Sequence, residues 1–399
     1  MKPATSSANN INSAANVGPG LNPSCDATGP VVTAQAAVFS GVSDEITLCQ
    51  LSIPKLCESE ILVRVSGCTI CGSDLHSFHG RRTVPVPTIL GHEIVGEIIE
   101  IGGTSTLFDL EGRELRRGDR VTWAIMANCG FCDLCQRGLS QKCLNGVKYG
   151  HEPFRPGREL LGGLAEYCLL VPGTSIVRLP DELPLAVACP ASCATATIAA
   201  ALEAAGDLTG RTVCLSGAGM LGLTACAMSR VQGAAKVVSV DPVSARRKLA
   251  TEFGATRTCP PDELSAVAIE EVGTLGFDVV LELSGNPAAF QATWPLIRTG
   301  GTLALVGSVF PGPSMPIALE QIVRRHLTIR GVHNYAPRHL LEAVKFLSFA
   351  HTQYPFARLV SEWIPLTSIA DAFRRGSHPD TIRIGVYSTD VSVNVTGNS

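Results

Sequence analysis

The chain has 399 residues, of which 45% are hydrophobic and 17% charged, and its net charge is −3. That length exceeds one ordinary core and suits two domains, and a near-neutral balance with no basic stripe argues against a nucleic-acid partner. No run of about eighteen or more apolar residues offers a membrane span, because even Ala194 to Ala205 is mostly small side chains and is broken by Glu203.

Taken in chain order, residues 1–33 are rich in Ser, Asn, Ala and Gly and predict a flexible tail. After Lys2 the first basic residue is Lys55, and no apolar signal core follows the start, so a cytoplasmic location is expected. Residues 34–194 read as a mainly β domain, with strand-like alternation in Ile61-Leu62-Val63-Arg64-Val65 and Ile94-Val95-Gly96-Glu97-Ile98-Ile99. Residues 195–335 change texture: a helix over Thr195 to Ala205 leads into strands over Thr212–Ser216, Lys236–Val240, Val279–Leu283 and Leu303–Val306. Helices over Met220–Gln232 and Arg246–Phe253 alternate with them. Such alternation predicts an α/β fold with a doubly wound parallel sheet. Residues 336–399 are expected to return to the first domain through a helix and strands ending near Ile382–Tyr387, followed by a C-terminal tail. No internal repeat is visible.

Fifteen cysteines, an odd count in a long chain, suit a metal site in a reducing compartment better than a disulfide framework. Cys129, Cys132, Cys135 and Cys143 follow Cys-x2-Cys-x2-Cys-x7-Cys in a loop with Asn128, Gly130 and Gly138. Four thiolates in one short loop close a tetrahedron around zinc and leave no position for substrate, which predicts a structural metal. Iron–sulfur runs are spaced differently. A scattered set, Cys71 in Cys-Gly-Ser-Asp-Leu-His, His92 in Gly-His-Glu and Cys193 before the helical run, supplies two thiolates and one imidazole. These leave a fourth zinc position open, as catalytic sites require. Each residue alone is weak; their co-occurrence with the four-cysteine loop gives the set its weight. Cys68 and Cys189, close by, are expected to be packing residues.

Leu215-Ser216-Gly217-Ala218-Gly219-Met220-Leu221-Gly222 places Gly-x-Gly-x-x-Gly after an apolar strand and at the opening of an apolar helix, where it cradles a pyrophosphate. Asp241 ends the next strand, nineteen residues after Gly222, where a carboxylate accepts from a ribose and repels a 2′-phosphate. NAD is therefore expected in preference to NADP. The expected cofactor-binding set is Gly217, Gly219, Met220, Leu221, Gly222, Asp241 and Gly307.

With these motifs in this order, the chain resembles the zinc-containing medium-chain alcohol dehydrogenases from about Ala34 to Tyr387. The resemblance implies a GroES-like catalytic domain beside a Rossmann cofactor domain, two Zn2+ per subunit, NAD, and reversible hydride transfer to and from an alcohol. It implies that Cys71, His92 and Cys193 bind catalytic zinc, with Glu93 as an alternating ligand or neighbouring carboxylate. Ser73 and His76 match the proton-relay positions, Arg246 a ribose contact, and Arg383 a cofactor-phosphate contact. Many relatives carry a cation directly after the first zinc cysteine; Gly72 stands there, so the pyrophosphate grip should rest on the helix start and Arg383. A small-molecule alcohol or carbonyl partner and a homodimer or homotetramer are expected.

At finer grain, Val121-Thr122-Trp123, Lys148-Tyr149-Gly150-His151-Glu152, Ser192-Cys193-Ala194-Thr195-Ala196-Thr197 and Gly331-Val332-His333-Asn334-Tyr335 resemble a subgroup associated with phosphonate catabolism. A phosphonate needs cations near the zinc, and Arg81, Arg82, Lys148, His151, Arg155 and Arg158 lie in loops that supply them. The substrate pocket is expected near Ser73, Trp123, Ile125 and the Arg81 loop. Two rival readings have distinct signatures. A zinc-free quinone or enoyl reductase needs none of Cys71, His92 or Cys193, and a non-catalytic scaffold should show a broken relay or zinc set.

Overall fold

A computed structural model describes residues 32–388. The expected N-terminal tail, apart from its last two residues, and the chain beyond 388 lie outside the described residues.

The central strand of the first lobe is Ile61–Thr69, buried along almost its whole length. Such an apolar run needs neighbours on both sides. It pairs antiparallel with Glu93–Ile101 on one edge. On the other it pairs with Tyr167–Leu170 near its start and Arg383–Tyr387 near its end. Strands Arg120–Trp123 and Ile176–Arg178 extend this sheet in one direction and Val360–Pro365 in the other. Thr33–Phe39 pairs with Thr47–Ser52 and Thr88–Ile89 in a separate small sheet. The last strands of the chain thus complete the sheet begun by the first. Helix Pro337–Ala350 packs between the lobes: its buried residues Leu340, Ala343 and Leu347 share a core with helices Ala194–Ala205 and Met220–Val231 and with Val95 and Val177 of the first lobe. A further helix, Ile369–Gly376, which no sequence pattern singled out, packs Phe373 against Phe78 in the first lobe.

The second lobe is a six-stranded sheet in the order Arg257–Cys259, Lys236–Val240, Thr212–Ser216, Phe277–Glu282, Ile297–Leu305, Thr328–Gly331, every pair parallel. Numbered along the chain this order is 3-2-1-4-5-6, so the crossovers reverse between Thr212–Ser216 and Phe277–Glu282 and open a crevice beyond their carboxyl ends. Small residues let helix Ala194–Ala205 sit close between the lobes, with Ala194, Ile198 and Leu202 buried in the same cluster as Val95, Ala124 and Leu223. Among the described residues no single helix is long and apolar enough to cross a membrane. The bent apolar pair Leu185–Ser192 and Ala194–Ala205 owes its composition to this core position.

Candidate active site and metal centres

Strand register brings the scattered residues together. Thr69 pairs with Glu93 and with Gly385. The end of one strand, carrying Cys71 two residues on, therefore meets the start of a second, carrying His92 and Glu93, and the start of a third, carrying Arg383. Cys193 comes from elsewhere, at the head of helix Ala194–Ala205, and the neighbouring Ser192 Oγ donates to the His92 carbonyl oxygen at 3.1 Å. The result is that one donor atom each from Cys71, His92 and Cys193 lies within 4.8 Å of the others.

The two sulfurs are 3.9 Å apart. Tetrahedral zinc with sulfurs at about 2.3 Å sets them roughly 3.8 Å apart, so the donor set fits that metal. The contact between the two sulfurs holds Cys71 well down and Cys193 well up from the usual thiol range. His92 is buried, which opposes its charge, yet Asp74 and Cys71 outweigh burial and lift it to about 10.

Asp74 is a residue sequence reasoning missed. Its Oδ2 accepts the Cys71 N–H at 2.9 Å and its Oδ1 the Gly91 N–H at 3.1 Å. His92 Nδ1 lies 3.4 Å from the same Oδ1, too poorly aligned for a full hydrogen bond, which leaves Nε2 on the side of Ser73 Oγ. One carboxylate thus ties both ligand-bearing segments and faces the far side of the imidazole, the arrangement that orients a metal-binding histidine. The signal was available: Asp74 stands three residues after Cys71, where a carboxylate reaches back to the first N–H of a helix.

Glu93 is fully buried and held by three donors: Arg383 Nε and Nη2 at 2.8 and 2.9 Å, and Thr69 Oγ1 at 2.6 Å. Arg383 Nη2 also lies 3.6 Å from Cys71 Sγ. Ser73 and His76 are one turn apart on helix Gly72–Phe78, so both face the same side. Burial lowers His76, which packs on Phe310 with ring centroids 4.6 Å apart.

The four-cysteine loop also gathers: the sulfurs of Cys129, Cys132, Cys135 and Cys143 lie within 4.8 Å of one another. Backbone N–H groups already point at them, Cys129 N to Cys143 Sγ at 3.2 Å and Cys132 N to Cys129 Sγ at 3.4 Å. Despite desolvation, hydrogen bonds from the Phe131 and Cys132 N–H groups bring Cys129 down to about 6, while desolvation and the Cys132 thiol hold Cys135 up at about 12. Cys68 and Cys189 belong to neither set; Cys68 is buried, and buried Cys189 donates to the Gly67 carbonyl at 3.4 Å.

A cavity of about 370 Å³ joins the Cys71–His92–Cys193 cluster to the Gly219–Gly222 turn, and Ser73, His76, Gly307 and Arg383 also line it. Gly217 has φ +107, a conformation that favours glycine, and a side chain on Gly222 would fall 1.9 Å from the Gly217 carbonyl oxygen. Both glycines let the helix start close on the crevice. Asp241 is buried and its carboxylate accepts from Ala218 N and Val243 N, each at 2.8 Å. Arg246 reaches the Pro379 carbonyl at 2.6 Å, with its Nε buried and unpartnered. Of the expected pocket residues, Ile125 lines the cavity, but Trp123 is core, set edge-on to Tyr149. Trp123 ends the strand Arg120–Trp123, and pleating turns it inward. Of the six expected cationic residues, Arg82, Lys148 and His151 line the cavity. Arg81 and Arg155 are exposed, and Arg158 is paired with Glu60 at 2.8 Å.

Comparison with known proteins agrees with this arrangement. Residues 57–181 match the alcohol dehydrogenase GroES-like domain, and residues 221–348 the zinc-binding dehydrogenase domain. The L-threonine 3-dehydrogenase of Pectobacterium atrosepticum is 32% identical over 345 residues, covering 84% of this chain and 86% of that protein. An alcohol dehydrogenase structure from Thermotoga maritima superposes with a TM-score of 0.83 at 27% identity, covering 90% of this chain and 100% of that one. A zinc-binding dehydrogenase from Sinorhizobium meliloti, bound to NADP, gives 0.77 at 26% identity, covering 89% and 99%.

Proposed function

The chain belongs to the zinc-containing medium-chain alcohol dehydrogenase family, and we propose that it interconverts a small alcohol and its carbonyl compound with NAD, holding one catalytic and one structural zinc per subunit. The close cluster of Cys71, His92 and Cys193 opening onto the same cavity as the Gly219–Gly222 turn carries this reading. Those three residues would hold the catalytic metal, and Cys129, Cys132, Cys135 and Cys143 the structural one. When bound, zinc supplies Lewis acidity at the substrate oxygen and the nicotinamide ring exchanges the hydride.

The chain's own groups do the rest. Asp74 ties the backbone of the Cys71 and Gly91 segments and faces the Nδ1 side of His92, and Arg383 with Thr69 holds Glu93 beside the sulfurs. Ser73 Oγ would take the alcohol proton, and His76, whose charged form burial disfavours, would accept it one turn along the helix. The Asp241 carboxylate, at the end of strand Lys236–Val240, supports NAD over NADP by disfavouring a 2′-phosphate. Gly217, Met220, Leu221 and Gly307 would border the cofactor, with Arg246 toward its ribose. Arg383 already gives Nε and Nη2 to Glu93 and Cys71 and one Nη1 proton to the Ile382 carbonyl, so a phosphate contact would rest on the one remaining Nη1–H.

Hydroxyalkyl phosphonates, polyols and amino alcohols are the substrate classes to test. A homodimer or homotetramer is proposed, supported by the outer strand Thr328–Gly331 and the exposed Leu319 and Val323 beside it. The absence of a spanning helix among the described residues is compatible with a cytoplasmic enzyme. The test is metal analysis of purified protein together with an alcohol screen read by NADH absorbance. Two zincs per chain and NADH formation are expected; one zinc per chain with no alcohol oxidised would refute the reading and favour a zinc-free reductase or scaffold.

A further inference from the structure

Arg82 and Lys148 line the cavity with Cys71, His92 and Cys193. Both are partly buried, and among the described residues neither side chain has a hydrogen bond or ion pair. By contrast Arg158, Arg298 and Arg383 are each answered by a carboxylate, Glu60, Asp278 and Glu93 in turn. Nearby carboxylates are committed elsewhere. Glu152 Oε1 accepts the backbone N–H of Lys148 rather than its ammonium, at 2.9 Å, and Asp74 serves Cys71 and Gly91. Burial, and then the charge of Arg82, pulls Lys148 down to about 8, and burial also lowers Arg82.

Two cations in one cavity, desolvated and mutually repelling, are costly unless an anion enters with the ligand. The surroundings add neutral donors. Lys142 donates to His333 Nδ1, which leaves Nε2 as the donor of a neutral His333. The Asn334 amide lines the same wall.

We propose that this end of the cavity is an oxyanion site built on Arg82 and Lys148, so that the alcohol oxidised carries a phosphonate, phosphate or carboxylate group. The proposal rests on the dehydrogenase reading above and names its substrate class. The cofactor's phosphates are the other anions that enter the cavity, but their natural seat is the helix start at Gly219–Gly222, whereas Lys148 and Arg82 flank the loop segments that present His92 and His151.

The experiment compares the zinc-loaded wild type with Arg82→Gln, Lys148→Gln and the double variant, each checked for zinc content and for NADH binding by fluorescence. The ratio of kcat/KM for 3-hydroxypropylphosphonate to that for 1,4-butanediol should fall by roughly tenfold to a hundredfold in each single variant, the loss of one charge-assisted contact. Lys148→Arg, which keeps the charge, should retain most of the preference. Independently, methylphosphonate should raise the Tm of the wild-type NADH complex and leave that of the double variant unmoved. An unchanged ratio overturns the proposal, and if NADH binding is lost at the same time the cations serve the cofactor instead. If wild type oxidises neither alcohol, the dehydrogenase reading falls. The methylphosphonate arm then decides the anion site alone: a shift confined to wild type upholds it, and equal shifts overturn it.

Discussion

Cys71 and Cys193 stand 122 positions apart in the chain and 3.9 Å apart in space, whereas the other four clustered cysteines come from one loop. The two sets should fail differently. Cys193→Ala removes a donor from an already buried, hydrogen-bonded cluster, so the protein should stay folded with one zinc and lose turnover. Cys132→Ala removes a cross-link from a loop with little core of its own, so Tm and solubility should fall. Metal analysis and thermal melts separate these outcomes, and wild-type turnover with both metals in Cys193→Ala would cancel the ligand assignment. Asp74→Asn keeps the shape but trades one carboxylate oxygen for a donor facing N–H groups. Affinity for the catalytic zinc should drop by about tenfold to a hundredfold in a chelator competition, with the loop zinc retained. Asp241→Ser would remove the carboxylate proposed to accept from the ribose and to repel a 2′-phosphate. The NAD/NADP ratio of kcat/KM should therefore fall, and wild-type preference for NADP would overturn the role given to Asp241.

At the level of elements, helix Met220–Val231 can start where it does because Gly222 has no side chain. In Gly222→Ala the added methyl meets the Gly217 carbonyl oxygen, and neither backbone can yield without moving the strand end. Roughly 1–3 kcal/mol of stability should be lost, with weaker NADH binding, measurable by denaturant titration and fluorescence. Helices Ala194–Ala205 and Pro337–Ala350 are joined at their ends by Glu203, which accepts from Arg338 Nε and His339 Nε2, both at 3.0 Å. Arg338 above all holds the Glu203 carboxyl down to about 2. A depressed carboxylate stabilises the fold fully above its unfolded pKa, about 4.3, and the contribution drains away as pH falls toward 2. Because Glu203 is half exposed, the effect at pH 7 should be below about 1 kcal/mol. Glu203→Gln should melt slightly lower than wild type at pH 7, with the gap closing between pH 4 and 2.

Over the whole molecule, Tyr335 links the pieces that frame the cavity. Its hydroxyl donates to the Ser192 carbonyl, next to Cys193, and accepts the N–H of Ile125 at 3.2 Å. Burial keeps the phenol protonated by pushing its pKa up. Tyr335→Phe keeps the ring but strands a buried N–H and a buried carbonyl, which should cost roughly 1–3 kcal/mol. Because Ile125 lines the cavity and Ser192 leads directly into Cys193, kcat should fall as well; a stability loss with unchanged kcat would confine Tyr335 to packing.

Chemistry concentrated in short segments was legible from the chain alone. The four cysteines, the glycine turn between an apolar strand and an apolar helix, and Asp241 at the next strand end are local patterns whose spacing follows from chain geometry. The scattered trio was legible only as residue types beside recognisable neighbours, because nothing local says that Cys71, His92 and Cys193 meet. Tertiary structure decided that: antiparallel register placed Thr69 against both Glu93 and Gly385, and helix Ala194–Ala205 carried Cys193 to the same point. It also separated residues that look alike in sequence. Arg81 and Arg82 are neighbours, yet the first is exposed and the second lines the cavity, while Asp74 acquired its role from the Gly91 and His92 segment that folds over it. Charge and side-chain type are properties of the residue, but what a charge faces, and whether water or a counter-ion answers it, is set by contacts between distant parts of the chain.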